Sequence, residues 1–425
     1  MRIACLPSAA PGLPGTDHRF DLYTNSRLSE RGRVGDLVPG RLRRLRLAPS
    51  DRAWDFTSIA MAAVAADETV PRGRSSDGWT REIALTVAVG DPGFWSTQAD
   101  RMIEALCFLS GDIWNLEFVG GGVIPVPPRQ ARPRQEDMVC LLSGGMDSLI
   151  GAIDAVHEGK SPLLVSQMAK GDTASQARFA SMIASASLHL QLNHHARPPI
   201  VSERSQRARS IAFLVFVVLA ATCLQSHRDG ATVELRIPEN GFISQNVPLT
   251  PLRMGTLSTR TTHPHYLRLV QSVLDDAQLR VTLHNPYDHT TKGEMLTGCA
   301  DQGLLTQLVD ESTSCGRFSR TGYRHCGRCV PCQVRRASYL AWGRPDHTRN
   351  GYKYASLGQN DARHTRFDDV RSVAMAIETV RRHGVEALIG GAMNTELLGN
   401  VAPYRRVVER GIAELAVLHA GLGVS

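Results

Sequence analysis

The sequence is poor in lysine and in aromatic residues, and it contains no long apolar run. Only four of its 48 basic side chains are lysines, so almost all of the positive charge is guanidinium, which suits bidentate contact with phosphate or carboxylate. The longest mostly apolar run, Ile211–Leu224, has 14 residues. A bilayer-spanning helix needs roughly 20. The N-terminus lacks an apolar stretch after a basic start, so we expect a cytoplasmic protein with no membrane partner.

Composition places the chain among globular proteins. Hydrophobic residues make up 42% of its 425 positions, which excludes a disordered chain and predicts two or three domains. The net charge of +7 permits an anionic partner and leaves nucleic-acid binding open. Nine cysteines are present, and four of them lie within eighteen residues. In a cytoplasmic chain such clustering indicates metal or redox chemistry rather than a disulfide framework.

Patterning divides the chain into four parts. For residues 1–120 we predict an N-terminal α+β domain, because strand-like alternation at Arg81–Val89 and Trp114–Val119 flanks a helical pattern. Residues 121–135, rich in glycine, proline and arginine, read as a linker. Residues 136–345 alternate strands with helices, which predicts a doubly wound α/β domain with a parallel sheet. Amphipathic patterns at Asp368–Arg382 and Val401–Leu422 predict a C-terminal helical extension over 346–425. No internal sequence repeat is visible.

The most informative segment joins an apolar strand to a helix through a Ser-Gly-Gly turn. Two glycines allow a tight turn that points backbone N–H groups inward, and the following helix N-terminus attracts phosphate. An aspartate beside phosphate indicates Mg²⁺ as a bridge between them. No Gly-Lys-Ser/Thr follows, so a Walker loop is disfavoured. We therefore predict an ATP site formed by Ser143, Gly144, Gly145, Met146, Asp147 and Ser148.

The second signal is a four-cysteine knuckle within residues 312–335. Its spacing is Cys-x10-Cys-x2-Cys-x2-Cys, formed by Cys315, Cys326, Cys329 and Cys332. Four thiolates at this spacing can form a closed tetrahedral zinc site, although an iron–sulfur cluster is an alternative. Closed sites of this kind are structural. Six arginines surround the knuckle and no acidic residue occurs from Ser312 through Pro345, so it forms either an anion-facing surface or a solvated basic rim.

Together these motifs resemble the 7-cyano-7-deazaguanine synthase family, QueC, whose members are PP-loop ATP pyrophosphatases of the HUP-like Rossmannoid class. Arg209-Ser210 before an apolar helix is similar to the family's V-P-x-R-N segment. Asn285–Glu294 resembles its P-L-x-x-x-x-K-x-E-I segment and matches Lys292 and Glu294 to the family's Lys and Glu. The resemblance covers residues 136–345. The family's Y-P-D-C-R segment is absent, and Ile237–Ile243, Pro248–Arg253 and Ser258–Pro264 stand in its place.

With its added flanking parts, the chain resembles the QueC-like proteins of bacterial anti-phage systems, above all the QatC type of the Qat system. This resemblance implies an ATP-dependent carbon–nitrogen ligase that uses ATP and Mg²⁺ and carries Zn²⁺. Its substrate would be the carboxylate of a 7-deazaguanine, activated for amide or nitrile formation or for conjugation to a partner protein of the same defence operon.

Roles for individual residues follow as hypotheses. Asp147 and Lys292 are the candidate catalytic residues, with Lys292 stabilising charge on the α-phosphate. Arg209 would face the substrate or phosphate. Glu239 and Asn240 can pair with the donors and acceptors of a purine-like edge, although turn formation at Asn240-Gly241 is an alternative. Two competing functions stay open, a non-catalytic nucleotide-binding scaffold of a defence complex and a PP-loop enzyme of tRNA modification.

Overall fold

A computed structural model describes residues 1–25, 30–199, 203, 207–249, 260–357, 369–390 and 399–424. The strands within these ranges are β1 (Arg2–Leu6), β2 (His18–Leu22), β3 (Gly32–Val34), β4 (Glu82–Ala88), β5 (Ile113–Val119), β6 (Met138–Leu141), β7 (Pro162–Gln167), β8 (His189–Leu192), β9 (Val233–Arg236) and β10 (Val281–His284). Short 3₁₀ turns are formed by Arg72–Arg74, Ala208–Ser210, Val309–Glu311 and Ser319–Thr321.

The α-helices of the described residues connect and cover these strands. In chain order they are α1 (Val38–Arg44), α2 (Asp51–Thr69), α3 (Pro92–Thr97), α4 (Ala99–Ser110), α5 (Met146–His157), α6 (Thr173–Ile183), α7 (Ile211–Ala221), α8 (Gln225–Arg228), α9 (Gly241–Ser244), α10 (Pro264–Asp276), α11 (Lys292–Gly298), α12 (Gln302–Leu308), α13 (Val330–Trp342), α14 (Asp369–His383), α15 (Glu386–Ile389) and α16 (Ala402–Gly421). Within the described ranges, no helix is both long and apolar enough to cross a membrane.

The N-terminal half contains a five-stranded sheet in the order β3-β2-β1-β4-β5. Every pairing in it is parallel, and β4 runs alongside β5 from Glu82↔Ile113 to Ala88↔Val119. This half is therefore α/β, and the expected α+β class is wrong. The reason is the connection from β4 to β5, because a crossover through α3 and α4 returns the chain in the same direction.

The second half confirms the predicted parallel sheet. Its strands lie in the order β10-β9-β6-β7-β8, and all pairings are parallel. The central strands β6 and β7 are buried along their whole length, as expected where helices cover both faces. Counted along the chain within each half, both sheets have the same order of third, second, first, fourth and fifth strand. The sequence gives no hint of this repeated topology.

Two helices hold the halves together. In each half, one long helix leads from the third strand to the fourth, α2 in the first half and α7 in the second, and these two helices pack against each other. The alanine-rich α2 is buried from Ala53 to Thr69, and α7 is apolar on all sides. Their side chains belong to one continuous core that extends from Ile3 to Val281 and includes both sheets.

The C-terminal helices form a further packed layer on the second half. Helix α16 packs against α9, α13 and α14, and its apolar side chains share a core with Phe242, Leu249 and Val334. Gly411 is needed for this approach, because a Cβ atom there would lie 2.4 Å from the Phe242 ring. This layer therefore lies against α9 and α13 of the second half.

We predict that Leu214→Ala in α7 lowers the free energy of unfolding by about 2–5 kcal/mol, because the side chain is fully buried where the halves meet. Urea unfolding followed by circular dichroism measures the change. Leu340→Ala is the matched control, since Leu340 is 53% exposed, and its effect should stay within about 0.5 kcal/mol. Equal costs for the two variants would contradict a joint core between α2 and α7.

Candidate functional site

The Ser-Gly-Gly turn lies between the buried strand β6 and the N-terminus of α5. Gly144 has a φ of +91°, in the left-handed region where glycine is favoured, and a Cβ atom there would lie 3.3 Å from side-chain atoms of Asp172 and Gln176. The Gln176 side chain donates a 2.9 Å hydrogen bond to the carbonyl of Ser143. The turn is thus fixed by the β7–α6 connection beside it.

The two serines of the turn are hydrogen-bonded to each other. The Ser143 N–H donates to Ser148 Oγ over 3.1 Å, and the two hydroxyl oxygens lie 3.0 Å apart. Ser148 Oγ also contacts the Gly145 carbonyl at 3.0 Å. The hydroxyls predicted to donate to phosphate therefore stand side by side at the start of α5.

Asp147 contacts two of the other predicted site residues, Lys292 and Asn240. Its Oδ1 lies 2.7 Å from the ammonium of Lys292, the first residue of α11. Its Oδ2 accepts hydrogen bonds from the Asn240 side chain at 2.7 Å and the Asn240 backbone N–H at 3.2 Å. Asp147 and Lys292 are both buried, so Lys292 is not a solvated surface lysine. Residues far apart in the sequence thus converge at the carboxyl ends of β6 and β9.

Glu239 completes this group and shares a hydrogen bond with Asp147. Burial raises the pKa of Glu239 well above its ordinary value, and the neighbouring Asp147 charge raises it further. Burial acts in the same direction on Asp147, but the charge of Lys292 and the surrounding hydrogen bonds outweigh it and lower the Asp147 pKa. Of the two carboxyl groups, Glu239 is therefore the one that holds a proton more readily, and Asp147 the one that ionises more readily.

Asn240 uses its side-chain amide for contacts within the protein. Its side-chain NH₂ donates to Asp147 and to Glu239, and its Oδ1 accepts from the Ile243 N–H at the start of α9. The residue is fully buried. Its amide thus orients Asp147 and caps α9, in agreement with the turn-forming alternative, and the purine-reading role stays a prediction.

Arg209 lies on the other side of the Ser-Gly-Gly turn. It is half-buried in the Ala208–Ser210 turn, and its charge acts to lower the pKa of Asp172, although burial of that carboxyl prevails and raises it. Asp172 in turn contacts the Gly144 position. The backbone N–H of Ala208 donates a 2.7 Å hydrogen bond to Asp67 at the end of α2, so the N-terminal half positions this arginine.

The structure brings the four knuckle cysteines together as one buried group. Their sulfur atoms lie within 4.8 Å of one another, with Cys315 and Cys329 separated by 3.9 Å and Cys326 and Cys332 by 3.8 Å. Zinc–sulfur bonds of roughly 2.3 Å place tetrahedral ligands about 3.8 Å apart. Backbone N–H groups of Cys326 and Cys329 donate to these sulfurs. The site can hold a metal ion such as zinc.

The knuckle braces the Ser-Gly-Gly turn. The N–H of Thr313, two residues before the first cysteine, donates to the Gly144 carbonyl over 2.9 Å. Beyond β7, Gly171 packs so closely on Tyr323 that a Cβ atom would lie 2.6 Å from the ring. A metal bound by the four cysteines would therefore act on the turn through structure rather than through chemistry.

The arginines around the knuckle divide into two groups. Arg335 is completely buried and donates to the carbonyls of Val309 and Ser312, and the Arg328 guanidinium donates to the carbonyl of Ser356. These two hold the knuckle to its surroundings. Arg320 and Arg324 are exposed, so the predicted basic surface is limited to the outer side.

Helix α16 contributes a contact that the sequence does not predict. Thr291 caps α11, and its hydroxyl also donates to Glu414 of α16. Arg410, one turn earlier, forms a 2.6 Å ion pair with Glu294. The C-terminal helix thus fixes the turn that begins with Lys292. Asp172 and Gln176 were also missed, although their place after a parallel strand could have indicated them.

The substrate-segment candidates are only partly described, since residues 250–259 lie outside the described ranges. No protein-family model matches the chain. No curated protein matches its sequence either. The site is therefore defined by its own geometry.

We predict one zinc ion per purified chain and its loss in Cys329→Ser, because four thiolates at tetrahedral spacing are required for a closed site. A structural zinc contributes on the order of 10 kcal/mol to local folding, so chelation should also lower the thermal midpoint. Metal analysis by mass spectrometry measures the content. Cys107→Ser, at a half-buried cysteine outside the cluster, should retain the metal. Iron, or no metal, in the wild type would refute the zinc assignment.

We predict that Glu239→Gln removes part of the pH dependence of stability. Above the ordinary pKa near 4.5, the folded state keeps a proton on Glu239 that the unfolded state loses, so wild-type stability declines as pH rises toward the raised folded pKa. Glutamine does not ionise, so the variant should gain stability relative to wild type as pH rises above the ordinary pKa toward the raised folded pKa. Urea unfolding at several pH values measures this, with exposed Glu82→Gln as the control. Parallel curves for wild type and Glu239→Gln would contradict the proton assignment.

Proposed function

We propose that this protein is a PP-loop ATP pyrophosphatase of the QueC-like class, a ligase that adenylates a carboxylate and joins it to nitrogen. The observation that carries the proposal is the convergence of Asp147 and Lys292 beside the Ser-Gly-Gly turn, at the carboxyl edge of a parallel sheet. The turn follows β6. From β6 the chain continues to β7 and β8 on one side of the sheet and then crosses to β9 and β10 on the other, so the direction of strand addition reverses between β6 and β9. Ligands of open α/β sheets bind in the crevice at such a reversal.

ATP would bind with its phosphates over the turn and the N-terminus of α5. The first backbone N–H groups of a helix have no partner within the helix, and the helix dipole favours negative charge there. The side chains of Ser143 and Ser148, 3.0 Å apart at this end, can turn from each other to phosphate oxygens. Gly144, Gly145 and Met146 supply the backbone that lies against the ligand.

Asp147 and Glu239 form a suitable pair of oxygen ligands for Mg²⁺. Both are carboxyl groups in one buried cluster, and a proton held by Glu239 can be displaced by a divalent cation. Bound Mg²⁺ would neutralise charge on the phosphate oxygens during transfer. Lys292, released from its ion pair with Asp147, would then face the phosphates. The buried charges of Asp147 and Lys292 are costly to keep in a protein that only needs to fold, which supports a catalytic role.

The proposed reaction has two steps. A carboxylate oxygen of the substrate forms a bond to the α-phosphorus of ATP while the bond to the β-phosphate oxygen breaks, and pyrophosphate leaves. An amine nitrogen then bonds to the activated carbonyl carbon, AMP leaves, and the nitrogen loses a proton. Lys292 would stabilise negative charge at the α-phosphate in the first step. Arg209, near Asp172, would bind the substrate or a phosphate.

For the substrate we propose a carboxylated 7-deazaguanine, on the basis of the sequence resemblance. The nitrogen would come from ammonia or from the N-terminal amine of a partner protein of an anti-phage operon. The N-terminal half and the C-terminal helices could provide docking surface for such a partner. A water-free pocket is needed in either case, because an acyl-adenylate is readily hydrolysed.

The test is release of pyrophosphate and AMP from ATP with 7-carboxy-7-deazaguanine, with and without co-expressed operon partners. We predict turnover by the wild type and a loss of about 10²–10³-fold in Lys292→Gln, as for other residues that stabilise transition-state charge. Asp147→Asn should also be inactive. Lys160→Gln, at an exposed lysine after α5, is the matched control and should keep full activity.

Zinc content and thermal midpoint verify that each variant is folded. Intact-mass spectrometry of the partners distinguishes protein conjugation from formation of a free amide or nitrile. Absence of turnover by the wild type under all of these conditions, with ATP still bound, would refute the enzyme and favour a nucleotide-binding scaffold.

A further inference from the structure

The positive charge of the protein is concentrated around the knuckle. Residues 312–357 contain nine arginines and lysines and one acidic residue, Asp346. This local excess is larger than the net charge of +7 on the whole chain. The rest of the molecule is therefore close to electrically balanced, and its field toward an anionic partner originates at one place.

Several of these cations lie on one continuous outer surface. Lys353 follows Tyr352, whose carbonyl accepts a 2.8 Å hydrogen bond from Arg324. The Lys353 N–H donates to the His325 carbonyl, so residues 352–354 run beside the knuckle. From the β7–α6 connection, Lys170 reaches the ring of Tyr323. We name this surface the basic–aromatic face, and its exposed cations are Lys170, Arg320, Arg324 and Lys353, whereas Arg349 is paired with Glu311.

Aromatic rings alternate with the cations on this face. The ammonium of Lys170 lies 5.5 Å from the centre of the Tyr323 ring, and that of Lys353 lies 5.7 Å from the Tyr354 ring. The Arg336 guanidinium carbon lies 5.2 Å from the Tyr352 ring. Each ring is half-buried, so one edge or face reaches solvent. The rings hold the cations in place and add flat surfaces between them.

We propose that the basic–aromatic face binds single-stranded nucleic acid through its phosphates. A groove of cations with interspersed aromatic side chains is the arrangement by which proteins bind single strands without reading sequence. A single triphosphate, for which we propose the separate turn at α5, would not account for the four exposed cations of this face. An acidic protein segment would pair with the charges but has no use for the rings. The proposal does not depend on the adenylation chemistry.

Fluorescence anisotropy with labelled 12-nucleotide single-stranded RNA and DNA tests the proposal. If three or more phosphates are contacted, the logarithm of the binding constant should fall with the logarithm of salt concentration with a slope of about −2 or steeper. The triple variant Lys170→Glu, Arg320→Glu, Lys353→Glu should weaken binding at least about tenfold and flatten the slope, because it removes contacts to the strand. Its zinc content and thermal midpoint should match wild type, since all three side chains are exposed.

A second triple variant distinguishes binding at the basic–aromatic face from attraction by the overall charge of the protein. Arg43→Glu, Arg44→Glu, Lys160→Glu produces the same charge change at exposed positions in α1 and after α5. Retained binding in this variant supports the proposal, and equal weakening would overturn it. Absence of binding, equal affinity for duplex of the same length, or displacement by polyglutamate as effective as by oligonucleotide would also overturn it, the last in favour of an acidic protein segment.

Discussion

The candidate site depends on one buried contact, the ion pair between Asp147 and Lys292. Asp147 stands at the start of α5 and Lys292 at the start of α11, so the contact joins the Ser-Gly-Gly turn to an element almost 150 residues later. Burial would make either charge unfavourable alone. Each partner therefore requires the other, Asn240 donates hydrogen bonds to the remaining carboxylate oxygen of Asp147, and Glu239 shares a hydrogen bond with Asp147. The arrangement keeps both charges in place before any ligand binds.

The elements around this pair restrict it from both sides. On one side, Thr313 of the knuckle segment holds the Gly144 carbonyl. On the other, Glu414 and Arg410 of α16 hold the first turn of α11. Neither the metal site nor the C-terminal helix has to touch a substrate to influence the chemistry. Preorganisation of this kind removes the cost of arranging charged groups during the reaction.

The sequence predicted the features that short local patterns determine. It did not predict the contacts between residues that are far apart in the chain. The Ser-Gly-Gly turn, the parallel strands from Met138 onward and the cysteine cluster follow from short-range signals of turn geometry, apolar runs and ligand spacing. The hydrogen bond from Asn240 to Asp147 was not predicted, because the two residues are 93 positions apart. The contact of Glu414 with Thr291 has no local signature at all. The first three strands were not recognised because the arginine- and proline-rich segments between them obscure any period.

The repeated strand order allows the two halves to be compared at equivalent positions, and only the second half carries the proposed phosphate site. The loop after β1 occupies the position that the Ser-Gly-Gly turn occupies after β6, but its polarity is reversed. Carbonyls of Pro7, Ser8 and Ala10 point at the Arg19 guanidinium, where an anion would need N–H groups. Residues 7–17 also lead to β2 without a helix, so no helix N-terminus follows β1 as α5 follows β6. The first half instead supports the second, through α2 against α7 and through Asp67, which holds the turn of Arg209. Equivalent sheets thus have unequal roles because the first connecting loop differs.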